Sequence, residues 1–156
     1  MKKTNALRIL DAAGIEYETE EYEVDESDLS GVHVAAVLGQ DPDTVFKTLV
    51  MRDEKNELHV CCIPVAEDLD LKKCASAAKV KRVEMVHVKE LMALTGYIRG
   101  GCSPVGMKKP YPVIFDETAL LFDKIYLSAG QRGMQMKVSP EVLAEFLHAG
   151  FADLIR

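Results

Sequence analysis

Apolar positions behind Thr4 fall at Leu7, Ile9 and Leu10 and stop at Gly14, which predicts a first helix with Thr4 as its cap. Residues 15–24 alternate, with Tyr17, Thr19 and Glu21 on one face and Glu16, Glu18, Glu20 and Tyr22 on the other, so a strand is expected there. Ser30 can cap a short helix through Val34, Ala35, Val37 and Leu38, ended by Gly39. A turn at Asp41-Pro42-Asp43 leads into two apolar runs, 44–52 and 58–65, which read as paired strands joined at 53–56. A helix over 69–78, started by Asp68 or Asp70, precedes a short strand at 83–86 and a helix over 88–94 stopped by Gly96. Farther on come a strand at 112–115, a helical turn at 117–121, and strands at 124–127 and 134–138 around the segment 128–133. Ser139-Pro140-Glu141 starts a last helix to about Leu147, with Ser at the N-cap and Pro at the first turn. Short strands mixed with short helices, without regular βα alternation, predict an α+β fold with a mixed, mostly antiparallel sheet.

Composition narrows this picture without changing it. The 156 residues suit one domain, 1–156, with a real core, and no repeat or linker divides them. No apolar stretch is long enough to span a bilayer, and the basic N-terminus from Met1 to Arg8 has no apolar run behind it. A cytoplasmic protein with no membrane partner is therefore expected. The four cysteines, Cys61, Cys62, Cys74 and Cys102, form no C-x-x-C pair and have no histidine at zinc-ligand spacing. Vicinal Cys61 and Cys62 should point to opposite faces of a strand and act as core residues in a reducing compartment. A net charge of −6 argues against indiscriminate polyanion binding, DNA included. The absence of Trp removes one kind of stacking platform. Basic residues nevertheless cluster at Lys72, Lys73, Lys79, Lys81 and Arg82, and again at Lys108 and Lys109. A solvated helix face accounts for them as readily as a local phosphate contact.

Two stretches carry candidate chemistry. Residues 96–106, Gly-Tyr-Ile-Arg-Gly-Gly-Cys-Ser-Pro-Val-Gly, hold four of the ten glycines. Such a turn can present bare N–H groups to a carbonyl oxygen or a phosphate, or it can simply connect two elements. The second stretch is the apolar strand around Lys47, which shares a face with Val45 and Leu49. A lysine there either snorkels at an edge or sits in a pocket, where burial lowers its pKa. His33, His59, His87 and His148 show no spacing to a carboxylate and a nucleophile that suggests a triad.

Taken together, Phe46-Lys47-Thr48-Leu49, then Gly96-Tyr97 with Gly100-Gly101, Ser103-Pro104 and Gly106, then Ser128-Ala129-Gly130 with Arg132-Gly133 resemble the YbaK/EbsC family of trans-editing aminoacyl-tRNA deacylases. That family is similar to the editing domain of bacterial prolyl-tRNA synthetases, and the likeness covers nearly the whole chain. It implies a barrel-like sheet flanked by short helices, no cofactor, no metal, and removal of cysteine from Cys-tRNA(Pro), with Cys-tRNA(Cys) as a further substrate. Prolyl-tRNA synthetase is implied as a partner in a transient ternary complex. The implied chemistry uses no protein nucleophile: the substrate's own thiol attacks its ester.

Residue by residue, the resemblance implies Lys47, Gly100 and Gly101 as catalytic residues. It implies substrate contacts from Tyr22, Phe46, Thr48, Tyr97, Cys102, Ser103, Pro104, Gly130, Arg132 and Gln135. Gln135 stands where relatives can carry Asp. Lys72, Lys73, Lys79, Lys81, Arg82, Lys108 and Lys109 become candidates for tRNA phosphates. Three alternatives stay open: editing of Ala-tRNA(Pro), a hydrolase that uses Cys102 as nucleophile, and a non-catalytic module that binds tRNA or a synthetase.

Overall fold

A computed structural model describes residues 3–156; Met1 and Lys2, the start of the basic N-terminus, lie outside the described residues. The elements are α1 (Asn5–Ala12), β1 (Glu18–Glu21), α2 (Gly31–Leu38), β2 (Phe46–Asp53), β3 (Leu58–Pro64), α3 (Leu71–Ala78), β4 (Val83–Met85), α4 (Val88–Thr95), β5 (Val113–Asp116), β6 (Ile125–Gln131), β7 (Met134–Val138), α5 (Pro140–Leu147) and β8 (Gly150–Ala152). Each cap follows from local chemistry. Thr4, Ser30, Asp70 and Ser139 accept backbone N–H groups at the starts of α1, α2, α3 and α5. Gly39 and Gly96 end α2 and α4 in the left-handed conformation.

The strands form two sheets, one ordered β1-β7-β6 and one ordered β4-β2-β3-β5-β8. The smaller sheet is antiparallel throughout, but β3–β5 and β5–β8 run parallel, because long crossovers separate those strands in sequence. The sheets meet at one bridge, Val45 to Tyr126, and the described strands do not close into a barrel. The fold is α+β, as the pattern predicts.

Three local expectations differ. The strand expected over 15–24 shrinks to β1, because only Glu18 to Glu21 pair in register with β7. Strand β6 runs on to Gln131 through a bulge after Ser128, so the turn is shorter than the glycines suggest. The final strand, β8, carries no alternating apolar signal; its place at the sheet edge beside β5 creates it.

Strand β3 is buried along its whole length. Its alternate residues feed two clusters: Val60 and Cys62 join Phe46, Val50 and Phe115, whereas Cys61 and Ile63 join Met51, Cys74 and Ala75. The vicinal cysteines therefore do face opposite ways. Each large side chain so buried contributes roughly 1.5–3 kcal/mol. Asp53 locks the β2–β3 turn: one carboxylate oxygen accepts from the N–H groups of Lys55 (2.8 Å) and Glu57 (3.0 Å), and the other meets His59 Nε2 at 2.8 Å. The His59 bond holds the Asp53 carboxyl below its ordinary pKa. That lock sets the register in which Lys47 stands opposite Ile63.

Candidate functional site

The site begins as a gap in hydrogen bonding along β2. Strand β4 pairs only with Met51 to Asp53, and β6 is bridged to this side only through Val45, the residue before β2. Val45 O accepts from Val65 N at 2.9 Å and Asp53 N donates to Glu57 O at 2.9 Å. In that alternation Lys47 and Leu49 bond to β3, while Phe46, Thr48 and Val50 turn their backbone groups the other way. Val86 N takes the Val50 carbonyl at 3.1 Å. The outward backbone of Thr48 is left facing a cavity of about 380 Å³.

Lys47 lines this cavity together with Phe46, Thr48, Gly100, Cys102 and Gln135. Burial pushes the Lys47 pKa down, and the charges of Asp68 and Glu67 pull it part of the way back. Among the described residues its ammonium makes no hydrogen bond or ion pair. A desolvated, unpaired cation is a strong electrostatic contact for an incoming carbonyl or phosphate oxygen.

The glycine-rich segment supplies Arg99, Gly100 and Cys102 to the cavity. Gly100 has φ +86°, a left-handed conformation, and lies against Arg132 and Leu29. Gly101 is wedged: a Cβ there would come within 3.0 Å of the Arg132 backbone nitrogen and 3.1 Å of the Gln131 Cα. Its N–H donates to Ile98 O at 3.0 Å, so Gly101 shapes the loop and offers no free donor. Arg132 Nε donates to Arg99 O at 2.8 Å, clamping the segment against the tip of the β6–β7 hairpin.

Other expected contact residues stand behind the wall. Tyr97 is buried and its hydroxyl donates to Val105 O; burial pushes that hydroxyl up to about 12. Gly106 and Gly130 leave room for the Tyr97 ring, since a Cβ would reach 2.9 Å and 3.3 Å from its atoms. Ser103 is fully buried, with its Oγ accepting from Val105 N at 3.2 Å, and Pro104 is buried beside it. Tyr22 and Arg132 line a small neighbouring depression that shares Gly100, Leu29 and Val34 with the main cavity.

Cys102 is buried, and desolvation pushes its thiol up to about 12 against the opposing pull of a hydrogen bond with Thr95. It is a neutral thiol, without the positive surroundings that make a nucleophile. Among the described residues no cluster of His, Cys, Asp and Glu could hold a metal ion, and no helix is long and apolar enough to cross a membrane.

The basic residues divide. Lys73 is committed to Asp153 (2.9 Å) and to Ile155 O (2.7 Å), and Lys108 reaches Ala93 O at 3.1 Å. Lys72, Lys79, Lys81, Arg82 and Lys109 are exposed and carry no ion pair among the described residues. None of the seven lines the cavity.

Four polar cavity residues escape the sequence reading as site residues: Ser30, which it took only as a helix cap, Arg99, His87 and Ser128. His87 is the residue before α4, and the bond from Val86 N–H to the Val50 carbonyl of β2 brings it to the rim. Ser128 could have been found from the β6–β7 register, which sets it opposite Gln135.

Comparison with known proteins agrees with this geometry. The aminoacyl-tRNA editing domain family matches residues 30–146. A relative from Enterococcus faecalis, EbsC, described as an inferred Cys-tRNA(Pro)/Cys-tRNA(Cys) deacylase, is 44% identical over 153 residues, covering 98% of this chain and 93% of its own. Two solved structures share the fold. The hypothetical protein APE2540 superposes with a TM-score of 0.87 at 24% identity, over 96% of this chain and 98% of its own. A proposed trans-editing enzyme for prolyl-tRNA synthetase superposes with a TM-score of 0.84 at 24% identity, over 100% and 99%. With most of its length matched and a relative this similar, the chain belongs to the aminoacyl-tRNA editing domain family.

Proposed function

We propose that this protein, as a single domain spanning 1–156, clears cysteine from mischarged Cys-tRNA(Pro), with Cys-tRNA(Cys) as a further substrate. The observation that carries the reading is a cavity with a desolvated cation, Lys47, and no activated nucleophile. Such a site orients and polarises an ester but needs the attacking atom to arrive with the substrate. In cysteinyl-tRNA that atom is the thiol. Its sulfur attacks the ester carbonyl, the carbon–sulfur bond forms, and the bond to the terminal ribose oxygen breaks. The thiol proton ends on that oxygen. The resulting strained thiolactone then takes up water to give free cysteine.

In this reading Lys47 holds the carbonyl oxygen and Gly100 lets the backbone come close, while Gly101, Tyr97, Ser103, Pro104 and Gly130 keep the loop in shape. Lys72, Lys79, Lys81, Arg82 and Lys109 take acceptor-stem phosphates. Prolyl-tRNA synthetase meets the protein only transiently, in the cytoplasm.

A second reading rests on His87 at the cavity rim. There the imidazole activates water, and alanine would be removed from Ala-tRNA(Pro) as readily as cysteine. Single-turnover deacylation of Cys-, Ser-, Ala- and Pro-tRNA(Pro) tests both. Fast cleavage of the cysteinyl ester alone supports thiol attack, because serine is similar in size but its hydroxyl is far less nucleophilic. Comparable cleavage of the alanyl or seryl ester overturns it and favours water.

A further inference from the structure

Opposite the Lys47 wall, the face of the smaller sheet that lines the cavity carries a polar row. Gln135 on β7 stands directly across from Glu20 on β1 and from Ser128 on β6. Residues directly across an antiparallel pair project from the same face. Gln135 is 5% exposed and lines the cavity, yet its Oε1 has no hydrogen-bond partner. On the neighbouring strand Glu20 Oε2 is also buried and without a partner, just outside the residues that line the cavity. The neighbouring row is satisfied differently: Lys137 lies 3.9 Å from Glu18 and 5.7 Å from the centre of the Tyr126 ring. Lys47 does not serve Glu20 either, since the acids that act on its charge are Asp68 and Glu67.

Two adjacent buried acceptors, one on a carboxylate, call for a donor that carries several N–H groups and positive charge. An aminoacyl ester brings one such group, its α-ammonium. We infer that Gln135 on the cavity wall, with Glu20 on the strand behind it, forms the seat of the substrate's α-ammonium, a specificity device that rests on the deacylase reading above. The cavity is then polar at two ends. Lys47 takes the carbonyl oxygen, and Gln135, backed by Glu20, takes the amino group, which fixes the ester between them. A glutamine suits the inner position because its oxygen accepts from the ammonium without adding a second buried charge. The seat admits aminoacyl-tRNA with a free amino group and rejects chains blocked at nitrogen, so N-acylated and peptidyl esters are spared.

The test compares Cys-tRNA(Pro) with 3-mercaptopropionyl-tRNA(Pro), which keeps the thiol and loses only the ammonium. Each kcat/KM is divided by the uncatalysed rate of its own ester. Wild type should prefer the amino-bearing ester by at least roughly 100-fold, as sites built around a substrate N–H do. Glu20→Gln and Gln135→Met should each shrink that preference at least roughly fivefold, mainly through KM. Glu20→Gln should not lower Tm, because no hydrogen bond holds its buried Oε2; a purely structural Glu20 would lower it. Equal use of both esters by wild type, or an unchanged preference in both variants, overturns the seat and points to water against these oxygens. In that outcome the deacylase reading stands as long as Cys-tRNA(Pro) is cleaved. Failure to cleave any aminoacyl-tRNA removes both.

Discussion

Strand β2 and its lead-in set every residue from Val45 to Val50 along the cavity, whereas the glycine-rich segment 96–106 sets only Arg99, Gly100 and Cys102 there. In the sequence the second stretch is the more conspicuous. Its unusual composition is spent on turns and close packing: Gly101 against the Gln131–Arg132 backbone, Gly106 against Tyr97, Ser103 bonded to Val105. The strand looks ordinary apart from one cation on an apolar face. Its importance comes from a length of sheet edge with which no described strand pairs. Glycines announce backbone geometry, and a misplaced charge announces chemistry.

The largest expected effect separates these roles. Lys47→Ala should slow deacylation by roughly 10²–10³-fold, the scale of losing one preorganised electrostatic contact. Lys47→Arg should also be poor, because a planar fork does not replace a compact ammonium. Stability should move the other way. Burial holds the folded-state pKa of Lys47 below its ordinary value of 10.5. The folded protein therefore binds fewer protons than the unfolded chain between those two pKa values. The cost of keeping the charge is full below the folded-state pKa and fades as pH rises through it. Lys47→Met should raise Tm at neutral pH, with the gain shrinking towards pH 10.5. A lower Tm at neutral pH would mean that Lys47 is a structural residue.

The glycine segment should show the reverse signature. Gly101→Ala forces a methyl to 3.0–3.1 Å from backbone atoms that cannot rotate away. A loss of roughly 1–3 kcal/mol is expected, read by denaturant unfolding. Gly100→Ala meets less crowding but keeps φ +86°, and should cost roughly 1–2 kcal/mol. In Gly101→Ala activity should fall only with the folded fraction, whereas Gly100→Ala, on the cavity wall, should lose activity beyond it. Full stability together with lost activity in Gly101→Ala would return that residue to the chemistry.

The same contrast explains what could be read from the sequence. Caps and strand pairs were legible because Ser30, Ser139, Gly39 and Gly96 act within one turn of their own helix. The β2–β3 register was legible because one polar turn, 53–56, joins two apolar runs. Lys47 was legible as a charge out of place. His87 and Arg99 were not, because elements distant in sequence bring them to the cavity. Strand β8 and the parallel pairs escaped for the same reason: neighbours far along the chain define them. Gln135 was visible as a candidate, but its unpartnered oxygen exists only once β1 and β6 flank it.

A smaller effect concerns surface lysines in neither region. Replacing Lys72, Lys79, Lys81 and Arg82 by Gln should raise the tRNA concentration needed for half-maximal rate roughly tenfold at low salt. The salt slope should fall by roughly 0.7–0.9 for each phosphate that the variant no longer neutralises. Lys73→Gln should act on stability instead, through Asp153 and Ile155. An unchanged slope in the fourfold variant would move the tRNA surface to Lys109 and its surroundings.

The smallest expected change is the one that would most damage the contrast if it came out large. Among the described residues Cys102 is the only thiol on the cavity wall, and it belongs to the glycine segment. If that segment is scaffolding, Cys102→Ala should keep deacylation of Cys-tRNA(Pro) within roughly threefold and cost about 1 kcal/mol of packing. The physical ground is protonation: with its pKa pushed up to about 12 by burial, the Cys102 thiol is almost wholly neutral at pH 7. The substrate thiol arrives from water with an ordinary acidity and a larger thiolate fraction, so it is the better nucleophile. Loss of activity in Cys102→Ala, with an acyl group trapped on Cys102 of the wild type and found by mass spectrometry, would make the glycine segment the seat of covalent chemistry. Lys47 would then be a supporting charge.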